Sequence, residues 1–79
     1  MSKEQQTAIW MNIIMTAIRN RLGLSRAEFV PIILKYELAS FLIEQYELLH
    51  YYDNDYIVND VIKYIEERGG DLSGLSRTG

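Results

Sequence analysis

Seventy-nine residues, 48% of them hydrophobic, make one small domain that buries about 60–65% of its unfolded surface, with room for four short helices but little for a catalytic cleft with its own walls. The hydrophobic share excludes a disordered chain, apolar runs of only a few residues exclude a membrane-spanning helix, and the lack of cysteine excludes disulfides and thiolate sites. A net charge of −3 weighs against nonspecific DNA binding, and the polar, mixed-charge start MSKEQQ does not read as a signal peptide, so a cytoplasmic protein is expected.

A first helix is predicted over residues 3–22, with Ser2 as its cap, Gln5 at the third helical position and Gly23 as a left-handed stop. Its apolar sector spans about 200°, wider than a surface helix needs. Trp10, Ile13, Ile14 and Ala17 make one stripe; Met11, Met15, Ile18 and Leu22 make a second. Asn12, Thr16, Arg19 and Asn20 mark the wet side. Either the helix is central, covered on two sides, or the methionine-bearing stripe meets a partner or a second copy of the chain, because methionine adapts to irregular surfaces.

Ser25 and Glu28 form a capping box for a second helix, with Leu24 placed to staple against Phe29. Pro31 has no amide hydrogen and disfavours helical geometry at Val30, so a kink or a new helix is expected there. The segment ends near residues 36–37 without a clear stop. The third helix covers residues 38–50, carrying Leu38, Phe41, Leu42, Gln45 and Leu49 at helical spacing. The polar run Asp53-Asn54-Asp55 closes it and caps a fourth helix over residues 56–68, whose buried stripe is Ile57, Val61, Tyr64 and Ile65. Gly69-Gly70 stops that helix. A short hairpin pairing Tyr51-Tyr52 with Tyr56-Ile57-Val58 is the alternative. The expected fold is therefore all-α: a compact bundle of four short helices over residues 1–70, five if the chain breaks at Pro31. A flexible tail follows at 71–79, where Leu72 and Leu75 are the apolar anchors available to a partner.

Catalysis is not expected. His50 is the only histidine and suits a helix end, while the serines sit at caps or in the tail, away from any base. Asp53 and Asp55 fall short of a calcium loop, no zinc ligand set exists, and Gly69-Gly70 follows a helix where a phosphate loop would open one, so no metal or cofactor is expected. Arg19, Arg21 and Arg26, with Lys35, supply phosphate contacts for a DNA-binding alternative, but Pro31 and Ile32-Ile33-Leu34 occupy the places where a reading helix needs polar side chains. The tyrosines favour protein binding. Residues 46–65 hold five of the six, too many for a small core, and tyrosine pairs a large apolar body with a polar tip. Tyr51, Tyr52 and Tyr56 around the polar loop are the candidate contacts, beside the Met11, Met15, Ile18, Leu22 stripe for self-association as a homodimer.

Tyr46-Glu47-Leu48-Leu49-His50, a short polar loop, then Tyr56-Ile57-Val58-Asn59-Asp60-Val61 with Tyr64-Ile65 resembles a small uncharacterised bacterial family. Its members show a tyrosine, an acidic residue, an apolar pair and a histidine, then a tyrosine-isoleucine block opening a final helix. They are often encoded beside proteins resembling ADP-ribosyltransferase toxins. The resemblance implies a noncatalytic partner in a toxin–antitoxin-like pair and transfers no catalytic residue. Two departures from that pattern, Tyr51-Tyr52 in place of a more polar loop and Pro31 where a helix usually continues, would alter the contact surface and so bear on whether a partner carries over.

Overall fold

In the computed structural model, which describes residues 2–70, four helices follow one another: α1 (Lys3–Leu22), α2 (Arg26–Lys35), α3 (Leu38–Leu49) and α4 (Asn54–Glu67). Among the described residues there is no strand. Both boxes anticipated at the starts of α1 and α2 are closed. The Gln5 amide donates to Ser2 Oγ at 3.2 Å and the Ser2 amide to Gln5 Oε1 at 3.0 Å. The Glu28 amide donates to Ser25 Oγ at 3.1 Å and the Ser25 amide to Glu28 Oε1 at 2.8 Å. Gly23 takes a left-handed conformation (φ 69°) after α1, and the Leu24 amide reaches back to the Arg19 carbonyl at 3.1 Å. This is the bond pattern of a glycine C-cap. Leu24 and Phe29 are both buried, as a staple requires.

Two expectations, a break at Pro31 and a start of the last helix at residue 56, are corrected by the backbone, while the α2–α3 boundary falls at residues 36–37 as expected. Helix α2 runs through Pro31 without ending. The proline removes only the bond to the Ala27 carbonyl, and both residues are solvent-exposed, so that oxygen stays open to solvent while the helix continues. The α2–α3 boundary, which lacks a sequence stop, is made by Glu37 in the left-handed region (φ 51°, ψ 47°). Helix α4 begins at Asn54, two residues before the expected start, and this extra half-turn occupies the residues a hairpin would need. Asp53 is its cap residue, yet its carboxylate accepts no capping bond.

The helices share one core. Ile14, Ile18 and Leu22 of α1, Leu24, Phe29 of α2, Leu38, Leu42 and Leu49 of α3, and Ile57, Val58, Val61 and Ile65 of α4 are buried together, each fully buried aliphatic contributing about 1.5–3 kcal/mol. No buried residue is polar among those described. Helix α1 packs against both α4 and α3, and α2 packs against α3. Long-range polar contacts mark the ends. Arg21 reaches Asn59 at 2.7 Å and Asp55 at 3.8 Å, Lys3 pairs with Glu47 at 2.6 Å, and the Tyr64 hydroxyl donates to the Tyr36 carbonyl at 3.2 Å. After α4 the chain turns through Gly69 (φ 88°). At Gly70 a Cβ would stand 2.5 Å from Ile65 Cγ2 and 2.7 Å from Tyr36 Oη, so only glycine fits there.

Candidate protein-interaction surface

The C-terminal end of α3 carries a run of stacked rings. Trp10 of α1 meets Tyr46 edge-on, with centroids 5.2 Å apart. Tyr46 lies parallel to the His50 imidazole at 4.3 Å, and His50 in turn touches Tyr51 at 4.1 Å. The spacing explains the order: residues 46 and 50 are one helical turn apart and stand above one another. His50 also caps α3, its Nδ1–H donating to the Tyr46 carbonyl, the helix-end role read from its position. A carbonyl only accepts, so that bond assigns the ring proton to Nδ1.

Beyond this ladder the chain turns a corner. Tyr52 and Tyr56, on either side of Asp53-Asn54-Asp55 in the chain, stack with centroids 4.6 Å apart. Tyr51 is 81% exposed, and Tyr52 and Tyr56 are each 52% exposed. The three tyrosines singled out from the sequence are thus gathered on one solvent-facing corner. The carboxylates beside them differ in their engagement. Asp55 is 93% exposed and only loosely approached by Arg21; Asp53 accepts no capping bond, and no ion pair reaches it among the described residues.

The methionine-bearing stripe does not survive as a surface. Ile18 (0% exposed) and Leu22 (1%) belong to the core, because the C-terminal half of α1 is covered by the other helices. Met11 and Met15 are half-buried and face different grooves. Met11 lines an apolar groove of about 390 Å³ with Ala8, Ile43 and Tyr46, edged by the Lys3–Glu47 pair. Met15 lines a second, of about 250 Å³, between α1 and α2 with Arg19, Arg26, Phe29 and Ile33. Leu72 and Leu75 lie outside the described residues.

Sequence reasoning missed several exposed aliphatics. Ile9 and Ile13 on α1, Val30 and Leu34 on α2, and Ile43 and Leu48 on α3 all face solvent. Ile13 was expected beside Trp10 inside. The available signal was the pairing of Ile9 with Ile13 and of Val30 with Leu34 at a spacing of four, which marks a separate stripe on each helix.

The cations read as phosphate contacts do not form one cluster: Arg19 and Arg26 line the same groove, whereas Arg21 and Lys35 are engaged elsewhere. Arg19 Nη1 donates to the Leu24 carbonyl at 3.1 Å, and Arg21 is held by Asn59. Lys35 sits at the far end of α2 from Arg26, about 13 Å along the axis, over the Tyr36 ring. Among the described residues, no group of three histidine, cysteine, aspartate or glutamate side chains is placed to hold a metal ion, and no helix is long and apolar enough to cross a membrane.

No curated protein and no solved structure matches this chain. A family model described as "Protein of unknown function (DUF3791)" matches residues 11–68, well over half of the chain, and takes in the tyrosine-rich motif and the whole of α2, α3 and α4. The chain belongs to that family.

Proposed function

We propose that this chain is a noncatalytic protein-binding module whose contact surface is the corner formed by Tyr51, Tyr52 and Tyr56. The observation that carries the reading is three large rings left in water on one turn of a molecule whose core is complete without them. Exposed aromatics in a cluster mark binding sites more often than scattered aliphatics do. The family resemblance supports, as the partner to test, an ADP-ribosyltransferase-like toxin, with this chain as its antitoxin-like or accessory companion in a bacterial cytoplasm. Self-association through the methionine stripe is disfavoured by the burial of Ile18 and Leu22.

The test is co-expression with the product of the neighbouring gene, followed by capture on the tagged chain. Capture should survive in Met15→Lys and fall at least tenfold in the Tyr51→Ser, Tyr52→Ser, Tyr56→Ser triple variant, with helical content unchanged in the latter. No association with the wild-type chain would remove the toxin partnership.

A further inference from the structure

Charge and aromaticity together say what kind of partner the corner fits. From Tyr36 to Ile62 the chain has six carboxylates (Glu37, Glu44, Glu47, Asp53, Asp55 and Asp60) and no lysine or arginine. Among the described residues, two ion pairs reach carboxylates of this window from elsewhere in the chain: Lys3 with Glu47, and Arg21 at 3.8 Å from Asp55. At the other end of the bundle the chain covers its own tyrosines. Arg68 lies 3.7 Å from the Tyr64 ring centroid and Lys35 lies 5.5 Å from that of Tyr36. Among the described residues, no cation lies over the rings of Tyr51, Tyr52 or Tyr56. The Tyr52–Tyr56 stack uses one face of each ring while each residue stays 52% exposed, and Asp53, next to Tyr52 in the chain, has a carboxylate that caps nothing.

We propose that this corner receives a basic, arginine-bearing segment of a protein partner, a guanidinium lying on an outer face of the Tyr52–Tyr56 stack and hydrogen-bonding to Asp53. The proposal rests on the reading of the chain as a binding module and specifies the partner's chemistry. A guanidinium is planar, so it stacks on a ring while its edge donates to a carboxylate; an ammonium ion meets only the charge. Nucleic acid is a poor occupant, since its phosphates would meet the unpaired aspartates.

The experiment titrates the isotope-labelled full chain with three short peptides, alternating glycine with arginine, lysine or glutamate, and follows amide and tyrosine-ring NMR signals. The arginine peptide should give saturable shifts centred on residues 51–56, the lysine peptide should bind about two- to fivefold more weakly, and the glutamate peptide should not bind. Tyr52→Leu keeps apolar bulk but removes the ring, and should bring the arginine peptide down to the level of the lysine peptide. Asp53→Asn should weaken both. Equal binding of the arginine and lysine peptides to the wild-type chain, or shifts spread over Glu44, Glu66 and Glu67, would reduce the effect to general acidity and overturn the proposal. Concentration-dependent self-association that is lost in Arg26→Ala would overturn it too, by showing that a second copy covers the corner. The two readings fail separately. A captured partner that protects another surface removes this proposal and keeps the module, whereas arginine selectivity without capture of the neighbouring product keeps the proposal and removes the toxin.

Discussion

Glycine at position 37 should make the protein more stable than alanine does. Glu37 holds φ at 51° and ψ at 47° between α2 and α3, a conformation that costs a residue with a Cβ about 1–2 kcal/mol. Glycine removes that term but adds roughly 0.4–1 kcal/mol of unfolded-state entropy. The Glu37→Gly variant should therefore exceed Glu37→Ala by about 0.5–1 kcal/mol, or about 2–8 °C in melting temperature for a domain of this size. Both variants lose the carboxylate at the start of α3, worth a few tenths of a kcal/mol at a helix N-terminus, so their comparison cancels it. Wild type should fall between the two. Urea and thermal unfolding of all three chains, followed by circular dichroism at 222 nm, measure the difference. An alanine variant as stable as the glycine variant, or more so, would refute the left-handed assignment at this corner.

Ile18→Ala should lose about 2–5 kcal/mol because the side chain is wholly enclosed, and Met15→Ala, half-buried one turn away, should lose clearly less in the same urea titration. Pro31→Ala restores an amide donor to the Ala27 carbonyl inside α2 and should raise stability by about 1 kcal/mol or more, read as a higher urea midpoint. Acid sensitivity should be traceable to Glu28. The Ser25 amide, helped by the Ser25 hydroxyl, holds the Glu28 carboxyl below its usual range, so its contribution is present above the unfolded value of about 4.3 and is lost as pH falls through the lower folded value. Urea midpoints of wild type and Glu28→Gln should accordingly differ at pH 7 and converge as pH falls below the carboxylate range. The Lys3–Glu47 pair follows the same logic at both ends of the scale. The bond to Lys3 lowers Glu47 and the bond to Glu47 raises Lys3, so the pair's stabilisation disappears in acid below the carboxylate range and again in alkali above the usual lysine range.

The helix starts were legible because they are written locally. Ser2 with Gln5, and Ser25 with Glu28, need only three-residue spacing to declare themselves, and Gly23 needs only to follow a run of apolar residues. The position of the α2–α3 corner was legible at residues 36–37, but its left-handed residue was not, since glutamate carries no preference for that backbone. Pro31 misled for a related reason. Local rules price its missing bond but not the solvent open to that carbonyl on an exposed helix face. For the candidate surface, composition alone separated Tyr51, Tyr52 and Tyr56 from the core, because the polar residues between them keep that turn wet. It did not separate Met11 and Met15 from Ile18 and Leu22. All four share a stripe on α1, and which part of a stripe is covered depends on where the neighbouring helices end.

The edge-on contact between Trp10 and Tyr46 gives the molecule an internal optical gauge. Trp10 is the sole tryptophan, so light absorbed by nearby tyrosines and re-emitted from the indole reports the closeness of α1 and α3 without any attached dye. Loss of that transferred emission before the loss of helical signal would reveal α1 peeling away while α2 and α3 still hold together.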